Sequence, residues 1–399
     1  MRAIQGLGAG GMNVCVNVII VDLVPRRERA KWSGIVSLSG ALGLLAGVLS
    51  GSATAQTSWR IIFYINIGIA VVAITLTVFF LQLPPVQGDK LNRLKTADWS
   101  GMVILSGSIA GLIFAVISGG SLYPWSSARI IAPLAIGGVG ILVFALFENH
   151  VARKGLRQPF IPLRLFSSRT AASGYLMTFL HGMVLWAVPY YFLYFIHVCA
   201  SRSLVESSIL SLPAVLIVAP SAAVAGIAMS RLSHFKYFNV AGFILMAGGC
   251  IGLSTLRAKP TTGQIVAYQF FISIGGGILF PGRIVSVQAA QRRMANDDEV
   301  EVRLATSLVS FATSLGQAFG IAMGSTALQN AWDPMVRKAL AAGKIDGQHV
   351  ILGSQAAKAT EIISKLPPAM KEAYQDIAAR SVARIEVVNA SANEETNSD

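Results

Sequence analysis

Two ionisable side chains lie inside long apolar blocks of this sequence, where such groups are rare and costly. His181 stands in the middle of one block, with Trp186 and Tyr190 following it closely, and Arg283 stands in a later block. Gln317 is a further polar residue within an apolar block. A histidine and aromatic side chains on one membrane span suit a cavity for a bulky, partly apolar ligand. We therefore take these five residues as candidates for a substrate cavity.

Each of these residues also has a purely structural interpretation. His181 can hydrogen-bond a neighbouring carbonyl group, and Arg283 can extend along its helix to the cytoplasmic border of the membrane. Aromatic residues such as Trp186 and Tyr190 commonly pack between helices or lie at the membrane interface. The sequence leaves both interpretations open.

Motifs that would indicate an enzyme are missing from the sequence. We find no HxxxH-type histidine box, no GxSxG motif, no paired carboxylates within one span and no phosphate-binding P-loop. An integral-membrane enzyme and an ATP-driven pump are therefore both disfavoured. The sequence predicts no cofactor and no metal site.

Glycine recurs at every fourth position in two of the apolar blocks. The first series is Gly43, Gly47 and Gly51, and the second is Gly316, Gly320 and Gly324. This spacing leaves one face of a helix without side chains, so that another helix can approach it closely. Such a face can be a static packing surface or a sliding contact in a protein that rocks between two states.

Composition and the lengths of the apolar blocks predict an all-α membrane protein. Apolar residues make up 54% of the 399 positions and charged residues only 13%, about half of the charged fraction in a soluble domain. The apolar residues form blocks of about twenty, the length at which a helix crosses hydrocarbon. About ten transmembrane helices are predicted, at residues 3–24, 32–54, 60–82, 99–118, 128–148, 170–194, 207–229, 237–255, 263–290 and 305–331.

Lysine and arginine are distributed unevenly over the connecting segments. One set of alternate connections holds 17 of them and the other set holds 5. Because positive loops stay in the cytoplasm, the first set is predicted to be cytoplasmic and both chain ends to lie outside. The net charge of +13 is then explained by contact with membrane lipid, and no nucleic acid partner is predicted. Asn389 begins an N-x-S sequence that only this orientation would expose to glycosylation.

Several motifs resemble the major facilitator superfamily, and in particular its fungal branch of fourteen-helix drug:proton antiporters. Residues 2–11, RAIQGLGAGG, resemble the fourth-helix motif of that family, and residues 22–29, DLVPRRER, follow it as they do in the branch. Residues 59–66, WRIIFYIN, and 123–127, YPWSS, are also similar to the branch. The resemblance implies that Arg2 assists proton coupling, with Gln5 and Gly6 shaping the same motif.

The resemblance equates the ten predicted spans with family helices four to thirteen, an incomplete major-facilitator fold truncated at both ends. Residues 1–83 would be a remnant of the N-terminal bundle, 84–149 a linker with two extra spans, 150–332 the C-terminal bundle and 333–399 a polar tail with short amphipathic helices around 361–366 and 372–385. Gly43, Gly47 and Gly51 match the antiporter motif of the fifth helix, but Val48 replaces its proline and Ser52 a glycine. The gating-loop pattern of the second half is matched at Gly226 and Arg231, but Ser233 replaces its glycine.

The resemblance implies a multi-pass transporter that exports drugs, toxins or secondary metabolites, driven by protons. Its partners would be a small amphipathic molecule, protons and lipid, and its location the plasma membrane or, alternatively, the vacuolar membrane. A second hypothesis is a truncated, non-transporting fragment or pseudogene-like product of such a transporter.

Overall fold

The computed structural model of the chain describes residues 2–24, 29–81, 97–154, 159–200, 202–232, 235–257, 260–294, 299–363 and 365–394. Regular structure within these ranges is helical, and the one β-type contact there is an isolated bridge between Gly119 and Tyr123. The predicted all-α fold class is confirmed.

Ten long helices coincide with the ten predicted spans. The helix over the fourth span runs from Trp99 to Ser118, the predicted bounds, because the side chain of Asp98 accepts a hydrogen bond from the Gly101 backbone N–H (3.0 Å) and caps its start. The ten are α1 (Arg2–Leu23), α2 (Arg29–Thr57), α3 (Arg60–Phe80), α4 (Trp99–Ser118), α5 (Ala128–Lys154), α6 (Arg169–Cys199), α7 (Leu204–Leu232), α8 (Phe235–Ser254), α9 (Thr262–Met294) and α10 (Glu299–Ala341).

Nine helices in the described part of the chain are long and apolar enough to cross a membrane. The predicted second span corresponds to α2, which is 29 residues long and has no charged side chain at residues 35–52.

The best-packed part of the molecule is a bundle formed by α6 to α10. Helix α6 is central to it: it packs against α7, α9 and α10, and 61% of its span is buried inside the protein. Gly242 and Gly275 face each other across α8 and α9, where a Cβ on Gly275 would lie 2.5 Å from the Gly242 carbonyl oxygen. Small residues thus allow the bundle helices to approach closely, as expected in lipid.

Helices α4 and α5 form a helical hairpin that packs against this bundle. Gly111 and Gly137 make their crossing close, since a Cβ on Gly137 would lie 2.7 Å from the Ser108 carbonyl oxygen. Helix α4 also packs against α10, where the Thr326 hydroxyl donates a 2.5 Å hydrogen bond to the Val116 carbonyl.

The first three helices pack more loosely. Helix α1 contacts α2 and α10, α2 contacts α7, and α3 contacts α2 and buries none of its residues. Their side chains are mostly exposed and apolar, as expected for helices facing lipid.

The segment after residue 332, predicted as a polar tail, forms part of the bundle. Helix α10 runs on to Ala341, and the expected short helices correspond to α11 (Ala359–Ile363) and a much longer α12 (Pro368–Glu394). Helix α12 packs against α6, α8 and α10. Its Tyr374 is fully buried, stacks on Trp332 with ring centroids 6.1 Å apart and donates a 2.8 Å hydrogen bond to the His349 carbonyl.

Candidate functional site

His181 lies at the middle of α6 and points into the bundle. Its ring is only 1% exposed, and its Nε2 atom lies 3.0 Å from the Gly276 carbonyl oxygen on α9. Because a carbonyl oxygen only accepts, Nε2 carries the hydrogen of this bond and Nδ1 of the neutral ring is an acceptor. This Nδ1 atom is buried and receives no hydrogen bond among the described residues. The predicted bond to a neighbouring carbonyl is therefore present, and it leaves one ring nitrogen unused.

Arg283 lies on α9 and also points inward. Its side chain is 5% exposed, and its Nη1 atom donates a 2.5 Å hydrogen bond to the Thr313 hydroxyl on α10. Its guanidinium carbon lies 5.0 Å from the centre of the Phe280 ring, the geometry of a cation–π contact. The guanidinium is thus held between α9 and α10.

Phe280 brings these two side chains into one cluster. Its ring meets the His181 ring edge to face, with the ring centres 5.4 Å apart. The same ring also contacts the Arg283 guanidinium. We call His181, Phe280, Arg283 and Thr313 the interior polar cluster. Sequence reasoning named the histidine and the arginine but missed Phe280 and Thr313, because a phenylalanine and a threonine in an apolar span carry no signal of their own.

The other predicted cavity residues are not part of this cluster. Trp186 and Tyr190 lie on the exposed side of α6, at 41% and 58% exposure. Gln317 is half-buried on α10, one turn beyond Thr313. Tyr191, next to Tyr190, is instead buried and donates a 2.7 Å hydrogen bond to the Ile321 carbonyl, which ties α6 to α10.

The second glycine series makes the contact between α6 and α10. A Cβ on Gly316 or Gly320 would overlap the carbonyl oxygen of Phe179 or Met183 on α6, and one on Gly324 would overlap the Tyr191 ring. This confirms that the series is a surface for close approach. We call this surface the α6–α10 glycine contact.

The first glycine series has a different environment. A Cβ on Gly43, Gly47 or Gly51 would meet no atom within 4 Å beyond its own helix. Gly6 on α1 is equally open, and Gln5 beside it is exposed.

Two predicted residues fall partly outside the described structure. Arg2 begins α1 and Asn389 lies within α12, but neither side chain is among those that the structure describes.

A pair of buried carboxyl groups lies at the end of the α4–α5 hairpin. Asp98 is 5% exposed and Glu148 is 1% exposed, and both carboxyl groups lie against Gly101, where an added Cβ would touch Asp98 Oδ2 and Glu148 Oε1. The two residues are 50 positions apart, one at the start of α4 and the other within α5, so they are not a carboxylate pair within one span. Their pairing is therefore not recognisable from the sequence and appears only when α4 and α5 are packed together.

Comparison with known proteins connects this arrangement to a transporter family. Residues 1–321 match the family model described as Major Facilitator Superfamily. The chain is 32% identical over 381 residues to the MFS transporter L2 of a Phoma species, covering 94% of this chain and 62% of that protein. It is 30% identical to the efflux pump FUS6 of Gibberella fujikuroi, covering 82% and 58%, and 34% identical to the MFS efflux transporter aclA of Aspergillus oryzae, covering 80% and 57%. The chain thus spans about three fifths of the length of these relatives.

Proposed function

Because this chain belongs to the Major Facilitator Superfamily, whose members move small molecules across membranes, we propose that it exports small amphipathic molecules and uses a proton gradient. Secondary metabolites, toxins and drugs are the substrates in view. Relatives named as efflux pumps support export as the direction. The interior polar cluster is the observation that carries the proposal, since polar groups this deep in a membrane bundle mark transport pathways.

The mechanism would be alternating access between two helical bundles around a central site. His181 and Arg283 would bind substrate, with Trp186, Tyr190 and Gln317 lining the path to them. The α6–α10 glycine contact supports such a movement, because the glycine face of α10 has no side chains that would interlock with α6 as the helices shift.

Proton coupling is proposed for the first two helices. Arg2, Gln5 and Gly6 would form the coupling motif of α1, and Gly43, Gly47 and Gly51 the remnant of the antiporter motif on α2. Within that remnant, Val48 stands in place of a proline, so the bend that a proline imposes on a helix is not expected from the sequence there.

We place the protein in the plasma membrane, with cytoplasmic connections after α1, α3, α5, α7 and α9. The charge distribution over the connections supports this orientation. Epitope tags at residues 1 and 399 should react in intact cells, and a tag at residue 90 should react only after permeabilisation. The reverse pattern would exclude this topology.

Transport itself is tested by efflux of an amphipathic dye from yeast cells that express the full chain. Arg283→Leu and His181→Leu should each reduce proton-dependent efflux while the amount of protein at the surface stays unchanged. Arg337→Leu and His150→Leu replace exposed residues of the same types and should not reduce it. Normal efflux by both interior variants would show that the cluster is structural.

A further inference from the structure

The positive charge of Arg283 is buried without an anion beside it. Among the residues that the structure describes, the ion pairs are Arg164–Glu301, His349–Asp346 and Arg380–Asp376, and none involves Arg283. Its Nε atom is buried and makes no hydrogen bond in this part of the chain. A buried charge left without a counter-charge is strongly destabilising. The bundle therefore keeps a cation whose natural partner is not supplied by the described residues.

The groups around Arg283 indicate the chemistry of a partner that would fit there. A guanidinium has its donors in a planar fork that matches a carboxylate, and Nε is a donor of this fork that makes no hydrogen bond within the described residues. Phe280 offers an apolar ring next to the charge, and His181, whose Nδ1 is a buried hydrogen-bond acceptor, contacts the same ring.

From this combination we infer that the interior polar cluster is selective for organic acids, amphipathic molecules whose carboxylate pairs with the Arg283 guanidinium. The inference rests on the proposed function and adds the chemical class of the substrate. The apolar part of the ligand would pack on Phe280, and a hydroxyl group on it would donate to His181 Nδ1. Thr313 would act as a positioning residue, because its hydroxyl holds Nη1 and so orients the fork.

Binding is the decisive measurement, because it does not depend on transport. The purified full chain in detergent is titrated with coumarin-3-carboxylate and with its uncharged carboxamide, and the shift in melting temperature is recorded. The carboxylate should bind at least about tenfold more tightly than the carboxamide. Arg283→Gln should remove this preference, Arg283→Lys should retain part of it, and the exposed Arg337→Gln should leave it unchanged.

Equal binding of the two probes, or no binding of the carboxylate, would overturn the inference. So would a preference that survives in Arg283→Gln. If Arg283→Gln does not fold, Thr313→Val provides a second variant, which should weaken carboxylate binding more than carboxamide binding. Proton-dependent efflux of neutral dyes without carboxylate binding would contradict the organic-acid site but support export. Carboxylate binding without any efflux would support the organic-acid site but contradict export.

The carboxyl pair of the α4–α5 hairpin carries a second, independent inference. One oxygen of each group accepts a backbone hydrogen bond. Asp98 Oδ1 accepts from the Gly101 N–H and Glu148 Oε1 accepts from the Phe160 N–H, both at 3.0 Å. The other two oxygens, Asp98 Oδ2 and Glu148 Oε2, are buried and receive no hydrogen bond from any described donor. Neither carboxyl group forms an ion pair within the described residues.

The geometry points to one proton shared between the carboxyl groups of Asp98 and Glu148. Two ionised carboxylates facing each other in a buried place repel strongly, whereas one protonated group donates a strong O–H···O⁻ bond to the other. The shared proton joins α4 to α5. Through the bonds of Glu148 to Phe160 and Ile161 it also holds the segment that leads into α6.

Infrared spectroscopy of the purified full chain at neutral pH tests this directly. The wild-type protein should show the C=O band of a protonated carboxyl group, and both Glu148→Gln and Asp98→Asn should lose it. Both variants should keep the wild-type melting temperature, because an amide N–H replaces the shared proton and Asn still caps α4. Asp376→Asn, in an exposed ion pair, is the control and should keep the band. A spectrum without this band, or a band that persists in either variant, would overturn the inference.

Discussion

The two glycine series have the same spacing but opposite surroundings. On α10, Gly316 and Gly320 lie against the backbone of α6, so that no side chain fits between the helices. On α2, Gly43 and Gly47 are exposed and nothing beyond the helix lies within reach of a Cβ. Helix α2 still packs against α7, and its half-buried residues include Leu45, Val48 and Leu49.

The comparison shows that a glycine series allows another helix to approach closely but does not by itself create a helix contact. The glycines of α10 are in contact with α6. Gly182 on α6 makes this approach closer still, since a Cβ there would lie 2.6 Å from the Thr313 carbonyl oxygen. On α2 the glycine face stays open.

The largest effect is expected for Gly320→Leu. Its Cβ would overlap the Met183 carbonyl, and since backbone cannot move aside without shifting α6, the free energy of unfolding should fall by about 3 kcal/mol or more. The melting temperature in detergent, read by size-exclusion chromatography, checks this. Gly47→Leu is the matched control and should fold normally. Equal losses in the two variants would contradict the distinction between the two series.

Gly316→Ala should destabilise the protein by about 1–3 kcal/mol. A single methyl group placed against the Phe179 carbonyl forces the helices apart, although less than a leucine does. The measurement is again thermal unfolding, with disulfide cross-linking between cysteines introduced on α6 and α10 as a second readout of their separation. An unchanged melting temperature would mean that the two helices can separate without cost.

Tyr191→Phe should cost about 1 kcal/mol, because it removes the hydroxyl that bonds the Ile321 carbonyl at 2.7 Å and leaves that carbonyl without this donor. Tyr190→Phe is the matched control, since Tyr190 is exposed on the same helix. Thermal unfolding of the two single variants separates them. A larger loss for Tyr190→Phe would contradict the role of the Tyr191–Ile321 hydrogen bond in joining α6 to α10.

The smallest effect, and one of opposite sign, is expected for Gly47→Ala. At an open helix position alanine is favoured over glycine, so stability should rise by about 0.5–1 kcal/mol. Proton-dependent efflux by this variant then distinguishes two roles for the face. Lowered efflux with raised stability supports a sliding contact, and unchanged efflux shows that the open glycines are dispensable.

The positions of the helices were the part most accessible to sequence reasoning. Hydrocarbon thickness and the need to satisfy backbone groups restrict a span to one length and one conformation, so the apolar blocks of the sequence predicted the positions of all ten helices. The stretch after residue 332 was harder. The polar residues of α12 suggested a tail, but its Tyr374 and Ile377 are buried against the bundle, a face that shows only when the partner helices are present.

The candidate site was predictable to the extent that its residues are chemically unusual. His181 and Arg283 stood out because lipid makes such side chains costly, and Asp98 and Glu148 did not, since each lies near the end of an apolar block where charges are ordinary. What made the second pair unusual is burial, which a sequence does not display.

The sequence by itself determined that this protein is a helical membrane protein, where its helices lie and which family it belongs to, because these depend on local length, hydropathy and motif. The tertiary structure decided which glycine series is packed, that Phe280 and Thr313 join the interior polar cluster, and that Asp98 meets Glu148. Each of these depends on residues 30 or more positions apart being brought together, as with Arg283 and Thr313. Such contacts arise from helix packing, which has many solutions compatible with one hydropathy pattern.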